Sequence, residues 1–150
     1  CVLGILLLLV PIDSGIYEIY MKAASGQMIS TALSEEMTAY IKEAEPQRIF
    51  NDYNVGETLI YHDIPVFFDA RADLYAAEHI FEDGISLLFL EQCNTERKGE
   101  FVNPEELIEQ YGFDGYVVLK SRPLYAYMMS HPERYELVLE DETTGYLVNR

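Results

Sequence analysis

The hydrophobic pattern of the chain changes after its first ten residues. Residues 1–10, CVLGILLLLV, carry no polar side chain apart from the Cys1 thiol, and the polar residue Asp13 follows soon after Pro11. A helix that spans a bilayer needs about 20 apolar residues, roughly twice the length of this run. The pattern favours the end of a truncated membrane helix. The alternatives are the core of a signal peptide, a lipid-modified Cys1 and a buried core strand.

Charge near this apolar run indicates the side of the membrane on which the rest of the chain lies. Asp13 and Glu18 come before the first basic residue, Lys22. Because cytoplasmic flanks of membrane helices are rich in Lys and Arg, this flank favours the extracytoplasmic side. The expected parts are the end of a truncated transmembrane helix at 1–12, a juxtamembrane connector at 13–33 and a soluble extracytoplasmic α/β domain at 34–150.

Helices are predicted where apolar residues recur every three or four positions behind a capping residue. Ser34 is followed by two glutamates and an apolar face, which predicts a helix that ends before Pro46. Asn103 and Pro104, with glutamates after them, predict a helix that ends at Gly112. Further helices are predicted at 58–61, at 75–90 with an interruption at Gly84, and at 123–129.

Short apolar runs between these helices predict strands. They lie at 48–50, 64–68 and 116–119, and 135–139 with 145–148 form a closing hairpin. Strands that alternate with helices indicate a parallel sheet covered on both faces. The predicted fold class is therefore α/β: a three-layer, mostly parallel sheet flanked by helices, with a C-terminal antiparallel hairpin.

Polar residues follow two of the predicted strands, at 51–54 and at 69–73. Ligands of open parallel sheets bind at the carboxyl ends of the strands, so we expect the two groups to share one rim. In the second group, two aspartates flank an arginine. This triplet holds the loop through charged hydrogen bonds, binds a polar ligand such as a sugar, or forms a plain solvated turn. The candidate binding residues are Asp52, Tyr53, Asn54, Asp69, Arg71 and Asp73.

Composition and motifs exclude several classes of function. The chain has 10 Lys and Arg against 26 Asp and Glu, and its net charge of -16 would repel a phosphate backbone. We therefore expect no nucleic-acid partner. His62, His79 and His131 are far apart and lack the spacing of metal ligands, and no nucleophile elbow or phosphate loop is present. We expect no catalytic residue, no metal and no cofactor in this chain.

Four segments resemble a known family. They are RIFNDYNVGETLIY (48–61), IPVFFDARADLY (64–75), LIEQYGFDGYVV (107–118) and ELVLEDETTGYLV (136–148). They look like the C-terminal extracytoplasmic domain of bacterial polytopic membrane proteins described as glycosyltransferase-like. Val55, Glu57 and Ala70 stand where that family usually has Trp, Gly and Gly. The chain is also distantly similar to the soluble domain of oligosaccharyltransferase catalytic subunits, whose Trp-Trp-Asp-Tyr-Gly motif is matched by Asp52 and Tyr53.

The resemblance implies an accessory role. The expected function is that of an extracytoplasmic domain at the cell membrane, part of a glycosyltransferase that uses lipid-linked sugars. The domain would help to position the acceptor and would not be catalytic alone. The implied partners are the membrane domain of its own parent chain and a glycan or lipid-linked sugar acceptor. The alternative is a non-catalytic interaction or sensor module of a bacterial membrane protein.

Overall fold

The computed structural model describes residues 33–71, 79–92 and 100–150, which form a mixed α/β fold. The predicted membrane segment at 1–12 and the connector up to residue 32 lie outside the described residues. The longest helices in the described part have ten residues. None of the described helices is long and apolar enough to cross a bilayer.

The described helices and strands follow one another along the chain in this order: α1 Glu35–Ala44, β1 Ile49–Asn51, a 3₁₀ helix Tyr53–Val55, α2 Gly56–Tyr61, α3 Ile80–Phe89, α4 Pro104–Tyr111, β2 Gly115–Leu119, α5 Pro123–Met129, β3 Tyr135–Glu140 and β4 Thr144–Asn149.

One four-stranded sheet has the order β1-β2-β4-β3. β1 pairs with β2 in parallel, and Ile49 lies opposite Gly115. The pairs β2–β4 and β3–β4 are antiparallel, so the predicted C-terminal hairpin is confirmed. The described sheet has one parallel and two antiparallel pairings and is mixed. The parallel majority that we predicted is not found among the described strands.

Successive residues of β2 enter two different groups of buried side chains. Tyr116 and Val118 pack with buried residues of α3 and α5. Val117 and Leu119 pack with buried residues of α1 and α2. The alternation follows from the two-residue period of a strand. Each side of β2 is therefore covered by helical apolar residues.

The helix starts predicted from capping residues are confirmed. Ser34 Oγ accepts a hydrogen bond from the Met37 N–H at 3.1 Å, and Asn103 Oδ1 accepts one from the Glu105 N–H at 3.3 Å. Gly112, at φ 65°, ends α4 in the left-handed conformation that glycine adopts without steric cost. These helix ends depend on hydrogen bonds and backbone angles of residues close in sequence, which is why the sequence predicts them.

The predicted strand at 64–68 is wrong. No residue of this segment belongs to a strand, and Pro65 has no N–H to donate to a ladder. The side chain of Asn51 takes the place of a strand partner. Asn51 Oδ1 accepts a hydrogen bond from the Phe67 N–H at 2.8 Å, and Asn51 Nδ2 donates to the Phe68 carbonyl oxygen at 2.8 Å.

The predicted interruption of a helix at Gly84 is wrong. The helix α3 is continuous through this residue. Gly84 is buried, and a Cβ built on it would lie 2.9 Å from two ring atoms of Phe68. Glycine is therefore present to admit the Phe68 ring, which is itself fully buried. The rest of the predicted helix, at 75–78, lies outside the described residues.

Gly84→Ala is expected to destabilise the domain by about 1–2 kcal/mol, although Gly to Ala in a helix interior normally stabilises by about 1 kcal/mol. The cause is overpacking against Phe68, and urea unfolding of the 150-residue chain measures it. In a Phe68→Leu background, which removes the ring, the same change should be neutral or stabilising. A stabilising effect in the wild-type background would contradict the proposed steric role.

Candidate functional site

The two parallel strands end side by side. Asn51, the last residue of β1, lies opposite Val117 of β2. The next N–H along the chain, that of Asp52, donates to the Val117 carbonyl oxygen at 2.7 Å. The loops that follow β1 and β2 therefore leave from one edge of the sheet, where open sheets bind their ligands. We call this edge the rim, defined by residues 51–54, 69–71 and 122.

Asp52 is the buried anion of the rim. Its side chain caps the 3₁₀ helix by accepting the Asn54 N–H at 3.1 Å. Arg122 Nε donates to Asp52 Oδ2 at 2.6 Å, and Arg122 Nη2 donates to Asp52 Oδ1 at 3.2 Å. The Asp52 side chain is 0% exposed and that of Arg122 is 19% exposed. Both carboxylate oxygens are thus engaged in a bidentate, largely desolvated ion pair.

Arg122 is the rim residue that our sequence analysis missed. It follows β2, and its N–H donates to the Leu119 carbonyl oxygen at 3.0 Å before Pro123 begins α5. Its Cζ lies 4.9 Å from the centroid of the Phe89 ring, a cation–π distance. The rule that selected the residues after β1 applies equally to those after β2. Applied there, it would have found Arg122.

Asp69 and Arg71 form a second pair of the same kind. Asp69 Oδ1 accepts the Arg71 N–H at 2.8 Å and the Arg71 Nε–H at 2.9 Å. Arg71 Nη2 donates to Asp69 Oδ2 at 2.6 Å. The Asp69 side chain is 1% exposed and that of Arg71 is 60% exposed, so the anion is buried and the cation reaches solvent. Asp73, the third member of the predicted triplet, lies outside the described residues.

The structure brings the two predicted polar groups together at the rim. Asn51 Nδ2 donates to the Phe68 carbonyl oxygen at 2.8 Å, directly before Asp69. Gly56, the first residue of α2, lies so close that an added Cβ would be 2.8 Å from Asp69 Cβ. The expected shared rim is therefore found for the described members of both groups.

The other candidate residues have smaller roles in this arrangement. The half-buried Tyr53 ring packs against the rings of Phe68 and Phe81, each at a centroid distance of 5.8 Å. Asn54 is exposed and contributes its N–H to the Asp52 cap. Of the three departures from the resembling family, Val55 is fully buried, whereas Glu57 and Ala70 are exposed. Of these three residues, Val55 is therefore the one that belongs to the core.

The groups of the rim that can contact a ligand are the guanidinium groups of Arg71 and Arg122, which buried aspartates hold in position. Each described carboxylate of the rim accepts hydrogen bonds from a guanidinium, so neither is placed as an unpaired general base. The described residues hold no group of His, Cys, Asp and Glu that could bind a metal ion. The rim carries two guanidinium groups, those of Arg71 (60% exposed) and Arg122 (19% exposed), and a buried carboxylate holds each of them in position. Such groups bind hydroxyl, carbonyl or acidic oxygens.

A second polar cluster lies where β3 begins, away from the rim. Glu105 Oε1 accepts hydrogen bonds from the hydroxyls of Tyr127 and Tyr135, each at 2.9 Å, and Glu105 Oε2 lies 2.5 Å from Arg134 Nη1. Burial raises the pKa of the Tyr135 hydroxyl well above its usual value, and its hydrogen bond to Glu105 raises it further. At neutral pH the hydroxyl therefore remains protonated and donates to Glu105. The cluster joins α4, α5 and β3.

Comparison of the chain with known protein families, curated proteins and solved structures finds no match.

Proposed function

We propose that this chain contains an accessory extracytoplasmic domain of a membrane glycosyltransferase that uses lipid-linked sugars, and that the rim helps to position the acceptor. One observation carries the proposal: the buried Asp52–Arg122 pair joins the loops after β1 and β2 at the edge where open sheets bind ligands. The resemblance to the extracytoplasmic domain of glycosyltransferase-like membrane proteins supplies the reaction class. We place the domain on the extracytoplasmic side of the cell membrane, beside the membrane domain of its parent chain.

In this proposal the two rim aspartates act through their arginines. Asp52 is fully buried and cannot contact an acceptor directly, so its role is to hold Arg122. The exposed Arg71 would meet the acceptor first, and Asp69 fixes its direction. Neutral glycan hydroxyls fit such donors, since the net charge of -16 disfavours a ligand with several negative charges. The phosphate of the donor would need cations supplied by the membrane domain.

We propose a three-layer arrangement in which helices cover both faces of the sheet. The support is the division of β2 side chains between two apolar groups, one containing α1 residues and the other containing α3 and α5 residues. A mostly parallel sheet would require further strands outside the described residues.

The test of function is the variant Arg122→Lys in the full-length parent protein. Lysine keeps the positive charge but loses the planar bidentate fork, so one charge-assisted hydrogen bond is lost. We expect the KM for the acceptor to rise about tenfold, with little change in kcat and normal membrane insertion. Steady-state sugar transfer with varied acceptor concentration measures both constants.

Arg134→Lys is the matched control for this experiment. It makes the same change beside a largely buried glutamate, Glu105, in the cluster away from the rim. Its transfer constants should equal those of the wild-type protein. Asp52→Ala, which releases Arg122 altogether, should lower transfer further. Wild-type constants in both rim variants, with the domain folded, would contradict acceptor positioning.

A second candidate is a non-catalytic interaction or sensor module. One observation favours it. Arg122 Nε and Nη2 donate their hydrogen bonds to the two oxygens of Asp52, within the domain, as expected for a pair whose role is purely structural. If the rim variants change the stability of the domain but not sugar transfer, this candidate becomes the better account.

A further inference from the structure

A cleft of about 320 Å³ lies beside β1, toward the amino end of this strand and away from the rim. Its lining includes the exposed Gln47 and Arg48, which precede Ile49, and the aromatic residues Phe67, Tyr111 and Phe113. The volume is in the range of small-molecule sites. The cleft is therefore large enough for one ring of monosaccharide or benzene size with a substituent.

One wall of the cleft is aromatic. The Phe67 ring centroid lies 4.8 Å from that of Tyr111 and 4.9 Å from that of Phe113. The Tyr111 and Phe113 rings stack with an interplanar angle of 22°, at 5.5 Å. Tyr111 is also tied through its hydroxyl, which donates to Asp83 Oδ2 at 2.6 Å. These contacts fix the wall, so it can pack against a ring without reordering.

Arg48 is distinct among the cations of the described residues. Six of the seven described lysines and arginines are in ion pairs, and Arg48 is the seventh. The six paired residues are Lys42, Arg71, Lys120, Arg122, Arg134 and Arg150. In a chain with 26 Asp and Glu against 10 Lys and Arg, a cation without a described carboxylate partner is unexpected. Its position in the cleft gives it access to a ligand.

Two contacts hold Arg48 in place. Its Nη1 donates to the Tyr111 carbonyl oxygen at 3.0 Å, at the carboxyl end of α4, where a helix dipole favours a cation. A Cβ on Gly112 would lie 3.4 Å from this nitrogen, so the guanidinium lies directly beside the residue that ends α4. The other N–H groups of the guanidinium make no hydrogen bond to the described residues and are available to a ligand.

The nearby acid, Asp114, contacts backbone N–H groups and forms no ion pair with the Arg48 guanidinium. Asp114 Oδ2 accepts the Gln47 N–H at 2.9 Å, and Asp114 Oδ1 accepts the Arg48 N–H at 3.0 Å. Both oxygens of Asp114 thus accept backbone N–H groups. The Gln47 side chain donates to the Glu45 carbonyl oxygen at 3.3 Å, which leaves its own amide oxygen able to accept a hydrogen bond.

We propose that this cleft binds a ring compound that carries one carboxylate. The carboxylate would pair with the free N–H groups of Arg48, and the ring would pack on the wall of Phe67 and Tyr111. The Gln47 amide oxygen would accept a hydroxyl of the ring. A single guanidinium in a chain of net charge -16 matches a single negative charge better than a phosphate dianion. The proposal does not depend on acceptor positioning at the rim.

The test is an NMR titration of the ¹⁵N-labelled 150-residue chain at low salt. The probes are sodium glucuronate, sodium benzoate and glucose, and the signals followed are the Arg48 Nε–Hε and the Gln47 side-chain amide. We expect saturable shifts with at least one of the two acids, with a Kd of about 1 mM. Glucose, which has the same kind of ring without the carboxylate, should bind about tenfold more weakly than glucuronate or not at all.

Variants assign the effect to Arg48. Arg48→Gln should weaken binding of the acid about tenfold, and Arg48→Lys should weaken it less because the charge remains. Arg150→Gln removes one positive charge from an exposed ion pair with Glu136 and should change the Kd less than about twofold.

Binding of glucuronate alone would identify the ligand class as sugar acids, and binding of benzoate alone would identify it as aromatic acids. Binding of both would show that the cleft accepts any ring carboxylate. Each of these results supports the proposal. It is overturned if neither acid gives a saturable shift, if glucose binds as tightly as the acids, or if a folded Arg48→Gln variant binds like the wild-type chain. The comparison of glucose with glucuronate on the wild-type chain gives a result even if a variant fails to fold. Failure here leaves the rim experiments unaffected, because they measure acceptor KM in the parent protein.

Discussion

Asn51→Asp is expected to destabilise the domain by about 4 kcal/mol at neutral pH. The new carboxylate can still accept the Phe67 N–H, but it cannot donate to the carbonyl oxygens of Phe68 and Asp52, which Asn51 Nδ2 reaches at 2.8 and 3.0 Å. Residue 51 is fully buried, so the charge would also be desolvated. Urea unfolding of the 150-residue chain measures the free energy of unfolding.

The pH dependence of this variant provides a second readout. Burial would raise the pKa of the new carboxyl above its value in the unfolded chain. The penalty is therefore full above the folded-state pKa, and it shrinks as the pH falls toward about 4, because the protonated carboxyl is neutral and regains a donor. Asn103→Asp makes the same change at an exposed helix cap and should cost no more than about 1 kcal/mol. A loss of under about 1 kcal/mol at residue 51 would contradict the anchoring role of its amide.

Arg122→Met is expected to destabilise the domain by about 3 kcal/mol. Methionine occupies a similar volume but leaves the fully buried Asp52 carboxylate without its cation. Of the three hydrogen bonds to this carboxylate given above, the one from the Asn54 N–H is kept. Because Arg122 is 19% exposed, water can replace part of the lost interaction, which places the effect at the lower end for a buried pair. Urea unfolding again gives the free energy.

A double-mutant cycle separates the pair from the rest of the rim. Adding Asp52→Asn to Arg122→Met removes the unpaired charge, so the double variant should be more stable than Arg122→Met by about 1–2 kcal/mol. Arg150→Met breaks a pair in which both side chains are about half exposed and should cost less than about 1 kcal/mol. Equal losses in Arg122→Met and Arg150→Met would show that the rim pair is solvated and does not hold the two loops together.

These two sites explain how the rim is built. Asn51 holds the segment 64–68 beside β1 with a side-chain amide, and Asp52 holds the loop after β2 through Arg122. Consecutive residues at one strand end thus connect three separate parts of the chain. Changes at either position should therefore affect both stability and the direction of the rim arginines. Arg48, at the amino end of the same strand, belongs to neither connection and can be varied independently.

Features that depend on neighbouring residues can be predicted from the amino-acid sequence. Ser34 and Asn103 start helices because their side chains accept N–H groups two or three residues ahead, and Gly112 ends one because glycine tolerates a positive φ. The closing hairpin also follows from local alternation and its polar turn. The placement of polar residues after β1 was sufficient to find Asp52.

Features that depend on distant residues are set by packing in three dimensions and could not be predicted from the sequence. The apolar run at 64–68 has the composition of a strand, yet its hydrogen bonds go to the Asn51 amide, 16 and 17 residues away. Glycine often ends a helix, yet Gly84 lies within α3, where a side chain would clash with the Phe68 ring. Asp52 pairs with Arg122 across 70 residues of sequence. In each case the partner is set by packing in space, which local propensity does not encode.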